Sequence, residues 1–394
     1  MAVGLQATGT DRIHAPAGGS LAADLIGDPA AAEAVWRRME SDSGNLQTPY
    51  QRYDWTMAFL QARGLMSDAR ILVLRDGEGR ARILLPLVLE RRLGLCIART
   101  VGGTHANYHL PLFAGRDAAA MDAGDVIAAL IRAGRLAGID VYALHHQPRS
   151  WDGAANPFAA SGEPEASNGY GLTLETDPEA TLRRVFSADA RKKLRSKEKR
   201  LIEAQGPVAY RRAETGDDVA HFLAAFYAHK ANRFAAMGVA DPYADPSIRA
   251  FLTAAASGPD PAVEIHALYI VESGRVLATF GGAVTGRRYS GMMTAFDPDP
   301  EIARYSPGDL LLQHLVREQA ARGRLGFDLG VGEARYKASI CNEIIELVEA
   351  VIPVSLAGRT YGALRQGVVR AKRSIKRDPR LYTAFQRLRK LRRG

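Results

Sequence analysis

The sequence predicts an α+β protein built from two copies of one unit in tandem. Three observations carry that reading. Residues 71–103 supply three strand-like runs (ILVLR, ARILLPLVLE, LCIARTVGG) separated by DGEG and RRLG, turn chemistry that joins antiparallel neighbours. A helical stretch over 118–137 follows, stops at Gly138, and gives way to the strand IDVYALHH, a crossover that permits parallel pairing. The same order then returns: HALYIV, VLATFGGAV and YSGMMTAF, a helix over 306–322, Gly323, and the strand LGFDLGV. With 394 residues the chain exceeds one comfortable core, so two domains of roughly 150–200 residues suit its length.

Taken in order, residues 1–20 read as a flexible leader without the charged start and apolar block of a signal peptide. Residues 21–62 look helical in two pieces, and Tyr53, Trp55, Met57, Phe59 and Leu60 give the second piece its apolar surface. The first domain accordingly spans 21–150. Residues 151–170, polar and rich in Gly, Pro, Ala and Ser, form a linker. The second domain spans 171–361. It opens with the short strand GLTLE and a long basic helix over 177–204 with Pro178 at its start. An amphipathic helix over 217–237 and another over 247–256 precede its strand set. Residues 362–394 are a basic tail.

The net charge of +9 is concentrated at that end. From Arg370 onward eleven Lys and Arg stand against Asp378, a net of +10, which leaves the rest at −1. Leu381, Phe385 and Leu388 fall on one helical face among these charges, with Tyr382 and Leu391 beside them. A basic amphipathic helix of this kind can rest on anionic lipid, touch RNA or dock on its own domain. A second cluster, Arg183 to Arg200, sets nine basic residues against Asp189 and Glu198. No apolar run reaches the length of about 18 residues that a spanning helix needs, so a cytoplasmic protein, peripheral to the inner face of the membrane at most, is expected. Cys96 and Cys341 lack CxxC spacing and read as buried thiols, without a disulfide or zinc site.

The stretch from Arg288 to Lys337 organises the second unit. Ser306-Pro307-Gly308-Asp309 marks a helix start: Ser306 as N-cap, Pro307 at the first position, Asp309 favouring the dipole. Gly308 admits close approach to the backbone, and a helix N-terminus fed by a loop from a strand can bind an anion. HKANRF, the strands HALYIV, GGAV and GMMTAF, SPGDLLLQHLV and FDLGVGEARYK together resemble the CelD/BcsL-type acetyltransferases of the FemAB-like group. The resemblance covers about residues 36–354. It implies two tandem GNAT-like (Gcn5-related N-acetyltransferase) domains with mixed sheets flanked by helices, the second carrying the acyl-donor site. It also implies a splayed pair of central strands that admits an acyl thioester, usually acetyl-CoA, with the pyrophosphate at Ser306, Gly308, Asp309 and Leu310. The loop departs from the Arg/Gln-x-x-Gly-x-Gly/Ala string of single-domain relatives, since only Gly308 is present.

Acyl transfer to an amine or hydroxyl needs a base, an oxyanion donor and an acid for the leaving thiolate. Asp328, a carboxylate within an apolar strand, and Glu333 just beyond it are the two base candidates; Tyr336 is the acid candidate. Asp328 has a second reading, as a structural anion paired with Lys337 or a backbone donor. Lys230 and Arg233, spaced to share a helix face, resemble the family's acceptor-side basic residues, and Lys337 can hold an anionic acceptor. His105 and His109 flank Asn107-Tyr108 in a loop and suit structural or pocket-lining roles, while His145 and His146 alternate along a strand, one inward and one outward. No metal is expected.

The function expected is acyl transfer from acyl-CoA to an amine or hydroxyl of a small molecule or glycan acceptor, a sugar or cell-envelope precursor. An aminoacyl-tRNA-dependent transferase of FemAB type is one alternative, the basic clusters suiting RNA. A catalytically inactive scaffold that binds membrane or nucleic acid is the other.

Overall fold

The apolar runs of each half pair into a meander, and the helix after it returns the chain beside the meander's last strand. The computed structural model describes residues 12–15 and 21–378. In the first half the strands Ala69–Arg75, Ala81–Arg92 and Leu95–Thr100 are antiparallel neighbours, and the helix Ala123–Leu136 leads to Val141–Pro148, parallel to Leu95–Thr100. The second half repeats this with Val263–Ile270, Val276–Val284 and Arg288–Phe296, the helix Pro307–Ala321, and Gly326–Val331, parallel to Arg288–Phe296. Each meander belongs to its own mixed sheet, one of nine described strands and one of seven. The two sheets thus form the tandem GNAT-like α+β architecture.

Three local readings are corrected. Ala22–Ile26 is a strand, not helix, because its short apolar run is ambiguous by period and Ala69–Arg75 offers it a free edge. Its inward Asp24 is fully buried and held by Arg12, by Arg75 Nε at 2.7 Å and by His14 Nδ1 at 2.8 Å. The basic helix over 177–204 is two helices, Pro178–Val185 and Ala188–Gln205, since Ser187 Oγ accepts from Ala190 N and starts a new one. The stretch 118–137 likewise divides into Arg116–Ala119 and Ala123–Leu136, the latter capped by Asp122.

The sheets do not divide where the chain order does. Leu347–Pro353, late in the sequence, returns to the first sheet and pairs antiparallel with Val141–Pro148. The halves also share one apolar core: Phe251 of the second half meets the rings of Trp55 and Phe59 edge-on at 5.1 and 5.2 Å. Aromatic pairs of this geometry add about 0.5–1.5 kcal/mol each beyond area burial. Leu356–Arg377 forms a final helix whose Arg365 pairs with Glu349 on that returning strand. The tail face at Leu381, Phe385 and Leu388 lies outside the described residues.

Candidate functional site

The parallel pair of the second half is joined at three positions, Arg288↔Gly326, Tyr289↔Phe327 and Ser290↔Asp328, and then diverges. Arg288–Phe296 departs because of a bulge: its register against Val276–Val284 shifts between Gly281/Met293 and Gly282/Gly291, leaving Met292 as the extra residue. Gly326–Val331 meanwhile stays with Gly169–Thr173 on its other side. The result is a V whose one wall, Met292 to Phe296, has no strand partner facing the opening among the described residues. Such an edge presents backbone N–H groups to an incoming carbonyl. Gly291 is required at the apex, where a Cβ would stand 2.9 Å from Asp328 O and 2.8 Å from Phe280 Cε1.

The other half of the chain supports that apex. Asn107 Nδ2 donates to Gly291 O at 2.8 Å and to Tyr50 Oη at 2.6 Å, and Tyr50 Oη lies 2.9 Å from Ser290 Oγ. Asn107 also packs against Gly330, where a Cβ would fall 2.9 Å from its Oδ1.

Beyond the V the chain runs to the helix Pro307–Ala321, and its start differs from the sequence expectation. Ser306 adopts a left-handed backbone, φ 54°, and its Oγ caps nothing in its own helix; it accepts instead from Lys197 Nζ at 2.6 Å. A non-glycine residue in this region is strained, by about 1–3 kcal/mol where the surroundings enforce it. The N–H groups of Asp309 and Leu310 both turn to Ser306 O, at 3.0 and 3.1 Å, and Pro307 has none. The Leu310 side chain lies in the core. The donors left for an anion are therefore the Gly308 N–H and the Lys197 ammonium, a smaller set than the free helix end expected. Asp309 is exposed and makes no ion pair among the described residues. It does not cap the helix.

Phe296, at the open end of the V, links this start to the acceptor-side helix. Its Cδ1 lies 3.6 Å from the Cβ position of Gly308, and the Arg233 guanidinium sits over its ring at 5.9 Å. Tyr336, half-exposed, lies near enough to Asp309 at the helix start to feel its charge. Burial first, then the Cys341 and Asp309 charges, raise its phenol above the ordinary range, so it keeps its proton at neutral pH.

The remaining sequence candidates stand elsewhere. Asp328 is fully buried at the closed end of the V, where Arg288 clasps it through Nε at 2.8 Å and Nη2 at 2.6 Å while also reaching Glu343 at 2.6 Å. Its partner is thus Arg288, not Lys337, and both oxygens are engaged. Lys337 is buried and donates to Gly330 O at 3.1 Å and Val331 O at 3.3 Å, tying down the strand end. Glu333 pairs with Lys376; burial opposes its charge, but the Lys376 ammonium and backbone N–H donors together outweigh that and hold the carboxyl below its usual range, the wrong direction for a base. Lys230 lies within 6 Å of three rings, Phe226, Phe234 and Tyr243, rather than beside Arg233's contact. Sequence reading missed Lys197, Asn107 and Tyr50. Lys197 was hidden in a charge run, and the other two belong to the opposite half.

A cleft between the halves, lined by Glu40, Trp151, Arg288 and Glu343, has a volume of about 360 Å³ but opens at the closed end of the V. Among the described residues no helix is long and apolar enough to cross a membrane.

The fold this geometry defines is the tandem GNAT-like fold. Residues 188–338 match the family model of the acetyltransferase (GNAT) domain, the segment that holds the V, the helix start and Lys197. The chain shares its fold with FemX at 9% identity, over 84% of this chain and 97% of that one, with a TM-score of 0.58. A conserved protein of unknown function from Bacteroides thetaiotaomicron VPI-5482 is similar at 13% identity, over 82% and 97% of the two chains, with a TM-score of 0.50. No curated protein matches the sequence.

Proposed function

We propose that the second half transfers an acyl group from acyl-CoA to an amine or hydroxyl of a small-molecule or glycan acceptor. The observation that carries this is the V itself, with an unpartnered strand edge beside Gly308 N–H and Lys197. The thioester lies along Met292 to Phe296, whose N–H groups stabilise the carbonyl oxygen as it gains charge. The diphosphate rests on the Gly308 N–H and the Lys197 ammonium. The acceptor enters past Arg233 and attacks the thioester carbon; the C–S bond breaks, the thiolate takes the Tyr336 proton, and the acceptor's proton leaves to solvent. Asp328 serves as a structural anion in this reading, and Tyr336 is the one sequence candidate retained in a catalytic role.

Titration with acetyl-CoA by calorimetry, beside a Gly308→Glu variant, tests the donor. Saturable binding by the wild type that the variant loses is expected, because the added carboxylate stands where the diphosphate must. If acetyl-CoA gives no heat and an aminoacyl-tRNA binds with a steep salt dependence, a tRNA-dependent transferase replaces this reading. If neither binds, the catalytic reading fails and a scaffold remains.

A further inference from the structure

His109, His145 and His146 meet at the parallel pair of the first half, a place acyl transfer does not use. Their ring centroids are 4.6, 5.1 and 6.1 Å apart, and one nitrogen of each lies within 4.8 Å of the others. A regular strand would send His145 and His146 to opposite faces, and that expectation is corrected here. The register of Val141–Pro148 shifts between Leu144 and Gln147, and His146 takes a left-handed backbone with φ 49°. Both rings consequently contact His109. Bulges and left-handed non-glycine residues are maintained against strain where a side chain must be aimed.

One nitrogen of each ring has an oxygen partner of the kind that orients metal-binding imidazoles. His109 Nε2 lies 3.1 Å and His145 Nε2 3.4 Å from Gly103 O, and His146 Nε2 lies 3.2 Å from Glu165 Oε2. His109 and His145 would offer their Nδ1 to a metal, and His146 would offer its Nδ1, which lies 3.5 Å from Ala106 O.

We propose that His109, His145 and His146 bind one transition-metal ion, with Zn²⁺ the best match to three imidazole nitrogens and Glu165 orienting His146. The ion fastens the loop around Gly103–His109 to the bulged strand. Asn107 lies in that loop, two residues from His109, and supports the apex of the other half's V. The role is structural, and it stands whether or not acetyl-CoA is the donor.

The test uses the full chain, stripped with a chelator and titrated with Zn²⁺ against a chromophoric competitor. One Zn²⁺ per chain is expected. His145→Gln weakens binding at least tenfold, while His105→Gln leaves it unchanged, since that ring packs with Phe59 and Phe251 instead. Because these rings are packed in the fold, a variant can unfold, and X-ray absorption of the wild-type complex supplies a second measurement. It should show imidazole scattering with nitrogens at about 2.0–2.1 Å. Absence of saturable binding, unchanged affinity in folded His145→Gln, or a shell of oxygen ligands alone overturns the proposal.

Discussion

The two halves build the same diverging pair of parallel strands and use it differently. In the first, Ile97↔Val141, Ala98↔Tyr142 and Arg99↔Ala143 pair before the strands part, matching the three pairs of the second. There the chain itself fills the gap: His109 N donates to His146 O at 3.0 Å, and Gly103 O sits beside the rings of His109 and His145. The helix that follows is closed as well, with its N-cap Asp122 accepting from Asp125 N and the Asp125 carboxylate in its opening turn. Among the described residues the second half leaves its gap unfilled, and it turns its cap residue away to Lys197. A fold repeated in tandem can thus keep one copy as an anchor and one as a site. The difference lies in a loop and a cap, not in the sheet.

The largest way to break the comparison is at the closed end of the second V. Asp328→Asn leaves Arg288 buried with Glu343 alone, and a loss of about 3–5 kcal/mol in chemical denaturation is expected. The folded fraction should retain turnover; its abolition with stability intact would restore Asp328 as the base.

Next is the cleft that joins the halves. Burial pushes the Glu40 carboxyl up to about 7 from 4.5, against the Tyr53 N–H that bonds it. The folded state then holds a proton that the unfolded state has released, so stability falls as pH rises from about 4.5 to about 7 and levels off above. The full shift corresponds to at most about 3 kcal/mol. Glu40→Gln should flatten that slope without changing donor affinity, and an unchanged slope would refute the assignment.

A smaller effect separates the two helix starts by function. Lys197→Met should raise the KM for acyl-CoA about tenfold, about 1.4 kcal/mol, with kcat little changed. Equal loss in kcat would mean that Lys197 acts on the reacting atoms. The smallest contrast is between caps. Asp122→Ala should cost about 1 kcal/mol in stability, whereas Ser306→Ala should stay within about 0.5 kcal/mol, because only Asp122 bonds its own helix. Equal costs would remove the distinction.

Much of this was legible along the chain. The repeat was written in the order of strands, turns and helix, and Pro307 and Gly308 marked the helix start. Asp328 stood out as a carboxylate in an apolar strand, but one sequence cannot say which cation lies across the sheet. That cation is Arg288, 40 residues earlier and one strand away. Alternation assigned His145 and His146 to opposite faces because period two assumes an unbroken ladder, and the bulge breaks it.

By itself the sequence determined the strands and helix of the repeated unit, and that they occur twice, since those outcomes follow from local apolar period and turn chemistry. Tertiary structure alone decided that Leu347–Pro353 crosses to the first sheet, that Asn107 and Tyr50 brace a strand of the other half, and that Lys197 replaces the cap of Ser306. Each is a contact between residues far apart in the chain, satisfied by hydrogen-bonding groups that carry no positional signal until the sheets have formed.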